Sequence, residues 1–254
     1  MTDGPTLFAR FAYPPNSLGY CGDEDHQALL EYGSSGVVDG GLRELAQTFE
    51  GAWPYLELIA GAAGIDDPLD QRVVEAYWVG NGLLEQVPMT LMGASVTERF
   101  RGVAGNAWER LADTIPAGAV PTHAYHVFSV YPWVGLLRTG STEHALHVLD
   151  RCRVRWGHVV HCEGDAAFVR SRLLEWDGRA LHLGAPVVEE AVRATDGLGF
   201  VGDLAPGDWV ALHWHWVCDR LSATQLAALR RYTATQLDLV NRRVTYSPPA
   251  AVLS

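Results

Sequence analysis

The residues of this chain best equipped to do chemistry are cysteines and histidines near its carboxy-terminal end. Cys152 leads the run DRCRVRWGHVVHCEGDAAFVRS (150–171), and PGDWVALHWHWVCDRL (206–221) carries His213, His215 and Cys218. A thiolate is a soft ligand suited to low-spin iron, and its use depends on a neighbouring cation, donor or metal that favours the deprotonated form. Cys152 is flanked by Arg151 and Arg153, whose guanidinium groups would supply that bias. His213 and His215 are two apart, so on a strand both rings project from one face, an arrangement that suits a metal. Cys218, beyond the expected strand end, is a further candidate ligand. The competing readings are plain: Cys152 as a small buried residue at a strand start, the histidine pair on a solvated strand face, and Cys218 as packing.

A second constellation lies near the amino terminus. In LGYCGDEDHQALLEY, Cys21 sits in a glycine-bounded loop before a predicted helix, and as a nucleophile it would need His26 as its base. Three acids follow it at once and oppose ionisation of the thiol. The H-x-x-H spacings at His123/His126, His144/His147 and His158/His161 put both rings on one side only if they lie on a helix. The pair at 144 and 147 lacks the glutamate of a zinc hydrolase. No zinc-finger spacing, G-x-S-x-G or lysine-bearing phosphate-binding loop occurs, which removes the commonest hydrolase and nucleotide-triphosphate signatures.

The elements that must carry these residues divide the chain in two. Helical character is expected from about 26 to 116, with segments near 41–50, 54–63, 70–86 and 97–115 separated by Gly, Pro or Asp-Pro. Leu69, Val73, Val74, Tyr77 and Trp78 fall on one helical face. AYHVFSVYPWVGLL (124–137) reads as helix interrupted at Pro132, and GSTEHALHVLD as a short helix capped at Ser141 or Thr142. From Cys152 the period changes to two. Val154 and Trp156 alternate with Arg153 and Arg155, the turns EGD (163–165) and DG (177–178) reverse the chain, and further strands follow up to DWVALHW. A terminal helix starts after Ser222 with Gln225 three residues on, a capping box, and Leu226, Leu229 and Leu237 on its packed stripe. The fold class read from this pattern is α+β: an acidic α-helical domain over 1–140, then a small β-barrel with a carboxy-terminal helix over 141–254.

Composition narrows the partners. All nineteen basic residues are arginine, and the net charge of −11 is uneven, with seventeen acids against seven arginines in 1–140 and thirteen against twelve in 141–254. A strongly acidic front half argues against nucleic acid as a partner. The four cysteines are too sparse for a disulfide scaffold, and neither a membrane-spanning run nor a secretory signal is seen, so a cytoplasmic protein with reduced thiols is expected.

The carboxy-terminal third resembles the HypC/HupF family of [NiFe]-hydrogenase maturation chaperones. The matching features are Cys152, Gly157, HVVHCEGDAAFV (158–169) and PGDWVALH ending at His213. The resemblance implies a small barrel with a helical tail. It further implies that Cys152 and His213 are the functional pair, carrying an Fe(CN)2CO unit toward the hydrogenase large-subunit precursor together with a HypD-like partner. Here the cysteine is internal, so no free amino terminus sits beside the thiol. The whole chain is also similar to an actinobacterial family marked by LGYCG, FEGAWPYLELI and HVFSVYPWVGLL, which the resemblance links to hydrogenase operons. The expected function is therefore binding rather than catalysis. The alternatives are a small-molecule enzyme with a Cys21/His26 type of site between the two parts, and a metal-free interaction module.

Overall fold

The computed structural model describes residues 2–100, 111–112, 114–115, 117–131, 133–137 and 142–246, with only the backbone for 243–246. The first helix, α1 (Gly4–Asn16), is capped by Asp3, whose carboxylate accepts from the Thr6 amide at 2.9 Å. It runs through Pro14 and Pro15, although a proline pair ordinarily marks the end of regular structure. Proline is tolerated there because the helix is ending, but each one deletes an amide donor. Helices α2 (His26–Ser35), α3 (Gly40–Gln47), α4 (Trp53–Ala63), α5 (Gln71–Trp78) and α6 (Met89–Phe100) follow, with a 3-10 turn over Gly82–Gln86. Three of these starts are capped by aspartate: Asp25, Asp39 and Asp70. The predicted apolar face of α5 is buried, from Leu69 to Trp78. Helix α6 begins well before the expected residue 97, directly after Pro88; most of the expected segment to 115, the break at Pro132 and the cap at Ser141 lie outside the described residues.

A short helical turn α7 (His123–Tyr125) continues as a π-helical segment over His126–Val130, then come α8 (Trp133–Leu136) and α9 (Thr142–Cys152). Cys152 therefore ends a helix and does not open a strand. Seven strands follow: β1 (Arg155–Glu163), β2 (Ala166–Trp176), β3 (Leu181–Val192), β4 (Ala194–Thr195), β5 (Leu198–Gly199), β6 (Trp209–His213) and β7 (Trp216–Arg220). Strands β1, β2, β3, β7 and β6 form one five-stranded sheet whose pairings return to β1 through β6, with a single parallel bridge, Val192 to Trp216, joining β3 to β7. The turn after β1 is made by Gly164 at φ +53, as the EGD signal implies. Gly157 is required by close approach of β2: a Cβ there would lie 2.4 Å from Val169 Cγ1 and 2.8 Å from the Arg170 carbonyl.

Alternation along β6 and β7 decides what the sheet does. Val210, Leu212 and Val217 point into its own apolar interior with Val159, Val169, Ala167 and Ala191. Ala211, Trp216 and Cys218 face outward and join the core of the helical half, packed with residues such as Phe11 and Trp78. One core thus crosses the 140/141 division, and the Arg10–Asp219 ion pair at 3.2 Å bridges α1 and β7.

The terminal helix α10 (Ala223–Tyr246) buries Leu226, Leu229 and Leu237 as its spacing predicts, and Asn241 exchanges two 2.8 Å hydrogen bonds with the backbone of Leu181 on β3. Its capping box is formed in both directions: the Ser222 amide donates to Gln225 Oε1 at 2.9 Å, and the Gln225 amide to Ser222 Oγ at 3.2 Å. Ser222→Ala is expected to cost about 1 kcal/mol in chemical denaturation, the usual loss for a helix cap. No helix among the described residues is long and apolar enough to cross a membrane.

Candidate metal centre

The outward face of β6 meets the helices at His213. Its Nδ1 lies 2.6 Å from the carbonyl oxygen of Phe11, and since a carbonyl only accepts, Nδ1 carries the proton and donates. That carbonyl is free because the residue four positions on, whose amide would normally bond to it, is Pro15. The proline pair that breaks the pattern of α1 thus creates the anchor for a histidine two hundred residues away. With Nδ1 fixed as donor, the lone pair of His213 falls on Nε2, which is fully buried and has no hydrogen-bond partner.

Cys152 arrives beside this ring from the end of α9. The β6–β7 turn is tied to that helix end: the Trp214 amide donates to the Arg151 carbonyl at 2.7 Å, and Arg155 donates to the Trp214 carbonyl. Trp214 adopts φ +54, an uncommon conformation for a bulky residue, and its ring stacks on Tyr20 at 4.4 Å. The third member is His123 on α7. Its Nε2 is 2.8 Å from the Cys152 carbonyl and 4.0 Å from Cys152 Sγ, and its Nδ1 is 3.3 Å from the Tyr77 hydroxyl. Donor atoms of His123, Cys152 and His213 all lie within 4.8 Å of one another, and all three residues are buried.

Electrostatically this is a neutral, buried site. Burial lowers the pKa of His123 to about 4 and takes His213 well below its ordinary value, so both imidazoles keep a lone pair at neutral pH. Burial also pushes the Cys152 thiol well up. The flanking arginines do not provide the expected thiolate bias, because carboxylates occupy them: Arg151 and Arg155 bind Glu189, and Arg153 binds Asp150 at 2.8 Å. Arg153, just before β1, and Arg155, its first residue, are each only 1% exposed. A guanidinium enters such a core when a carboxylate enters with it.

A cavity of about 190 Å³ opens onto the cluster, lined by His123, Cys152, Cys21, His126, Tyr77 and Tyr131 among others. It is an apolar, aromatic space next to a soft donor.

The candidate residues fare differently. Cys152 and His213 lie in one cluster, with ligand atoms within 4.8 Å of one another. His215 does not share a strand face with His213: the strand ends at His213, and 214–215 form the turn. Cys218 is buried on β7, its Sγ 3.7 Å from the Trp216 carbonyl, and belongs with His215 outside the three-residue group. Cys21 lines the cavity, where burial pushes its thiol up to about 12. His26 is exposed, with Nδ1 3.1 Å from the Glu24 carbonyl, and is not among the lining residues. The imidazoles sharing a cavity with Cys21 are His123 and His126 instead. His123 is the residue that sequence reasoning missed; its H-x-x-H partner His126 turns to the Tyr55 hydroxyl at 3.5 Å, so the spacing flagged the residue but named the wrong companion.

Compared with known proteins, the chain matches no curated protein and no solved structure. Over residues 1–247, spanning both the helical half and the sheet, it belongs to the DUF6390 family, a family of unknown function.

Proposed function

We propose that the protein is an accessory factor of [NiFe]-hydrogenase assembly, acting in the cytoplasm by binding, with the closed sheet serving as a HypC-like barrel. Cys152 and His213 hold an Fe(CN)2CO fragment or engage the large-subunit precursor, in concert with a HypD-like factor. The observation that carries this reading is the meeting of Cys152 with His213, the pair the resemblance singles out, although one ends a helix and the other a strand. The chemistry of the donors agrees: a sulfur in the wall of an apolar cavity, with a neutral imidazole behind it, suits a low-spin iron unit carrying poorly hydrated diatomic ligands.

The test is infrared spectroscopy of the full chain purified after co-expression with hydrogenase maturation proteins. Cyanide and carbonyl stretching bands with matching iron content are expected in the wild type, with loss of both in Cys152→Ala. Absence of the bands, or their persistence in that variant, removes the reading. The second reading, a small-molecule enzyme, is favoured by one observation, the cavity that brings Cys21 together with His123 and His126. It requires Cys21→Ser to abolish turnover of a compound small enough for that space.

A further inference from the structure

We infer that His123, Cys152 and His213 form one mononuclear site for a divalent transition-metal ion of the zinc or ferrous class, to which the helical half contributes a ligand. This deepens the reading above and rests on it only for the Cys152–His213 pair; neither the cargo nor the hydrogenase partner enters.

The first support is the unpartnered Nε2 of His213. A buried nitrogen lone pair with no donor facing it is destabilising, and neither the neighbouring sulfur nor the second imidazole makes a hydrogen bond to it. A metal ion does. The second is the outer shell. Metal-bound histidines donate their other ring N–H to a carbonyl, carboxylate or similar group, which fixes tautomer and orientation. His213 already does so to Phe11. His123 can do so without any new contact: with the proton on Nδ1 it donates to the Tyr77 oxygen at 3.3 Å, and the Tyr77 hydroxyl in turn donates to the Gly51 carbonyl at 3.3 Å. Its Nε2 then exchanges the Cys152 carbonyl for the metal.

The third support is distance. Tetrahedral zinc with its usual bond lengths sets ligand atoms ~3.3–3.6 Å apart. The three groups here, at 4.0 Å for His123 Nε2 to Cys152 Sγ and within 4.8 Å overall, stand little more than an ångström from that spacing. On binding, the Cys152 thiol releases its proton to solvent, the His123 ring proton relocates from Nε2 to Nδ1, and the ion gains one thiolate and two imidazole bonds. Because His123 and Cys152 also line the cavity, the fourth position faces that space and stays open to a small ligand.

Titrating metal-stripped full-length protein with Co2+ tests this. One equivalent is expected to bind, with a thiolate-to-cobalt band in the near ultraviolet and visible bands of tetrahedral strength. Cys152→Ser should abolish the near-ultraviolet band. His123→Gln should weaken binding by more than the ~10–100-fold typical of a lost outer partner, the range expected for Tyr77→Phe. His123→Cys should restore tight binding with a stronger charge-transfer band, which a merely structural histidine would not produce. Wild-type affinity in a folded His123→Gln protein, as judged by circular dichroism, would overturn the assignment, as would a Co2+ band that survives in Cys152→Ser. Intact Co2+ binding without cyanide and carbonyl bands would sink the cargo and leave this site standing. Those bands in the wild type, with Co2+ affinity unchanged in folded His123→Gln, would do the reverse.

Discussion

Glu189→Ala should lower folding stability by about 3–5 kcal/mol, seen as a fall in denaturant midpoint with an unchanged slope. The magnitude follows from what the carboxylate neutralises. Glu189, on β3, is itself only 10% exposed and binds Arg151, Arg155 and the Ser171 hydroxyl, while Arg155 is buried to 1% exposure. Removing the acid leaves a guanidinium in the core without its paired carboxylate, only the more distant Asp150 still acting on it, and that poorly compensated ion is the costly species. The intact pair by contrast adds little net stability. Ser171→Ala, which removes a neutral partner, should cost about 1 kcal/mol. A loss below 1 kcal/mol in Glu189→Ala would mean that water reaches Arg155 and that the network is not the buried structure described. The same arginine also binds the Trp214 carbonyl beside His213, so the variant should loosen the Cys152–His213 pairing as well.

Acid should unfold the metal-free protein early, between about pH 6.5 and pH 4. His123, His126 and His213 are buried and neutral, with pKa lowered to about 4 for His123 and well below the ordinary value for the other two, desolvation being the first cause in each. In the unfolded chain these rings take up protons near pH 6.5. Below that pH the unfolded state binds more protons than the folded one, so stability falls as pH drops, by up to about 1.4 kcal/mol per pH unit for each histidine. Above it these groups have no effect. From pH 6.5 to 5 the loss approaches ~2 kcal/mol per ring. Asp219 works in the opposite sense, because burial raises its pKa and protonation at low pH relieves that penalty, although Arg10 beside it limits the shift. With His215, whose pKa burial also lowers, adding to the three, urea midpoints across this range should give a proton uptake on unfolding of at least two near pH 5. An uptake near zero would show that the rings are already charged, or already hydrated, in the folded state.

Much of this architecture is legible in local pattern. The buried face of α5, the EGD and DG turns and the capping box of α10 all follow from spacings of a few residues, because helix and hairpin geometry are set by nearest neighbours. Local pattern misled where a long-range partner changed the meaning of a residue. Arg153 and Arg155 alternate as a solvated strand face should, yet Asp150 and Glu189 bring them inside. Pro14 and Pro15 look like the end of regular structure, yet they close a helix and leave the Phe11 carbonyl for His213. The H-W-H spacing of 213–215 suggests two ligands on one face, until the turn at Trp214 removes the second.

By itself the sequence determined the succession of a helical front part, a strand-rich segment and a terminal helix, the acidic front half, and the residue types able to hold a soft metal, since these depend on composition and on periods of two and 3.6. Only the tertiary structure decided that His123, rather than His215 or Cys218, joins Cys152 and His213. That choice depends on sheet closure and on the packing of β6 against α1 and α7, contacts between segments far apart in the chain, and no spacing along the chain encodes which of several histidines will be carried into the same buried volume.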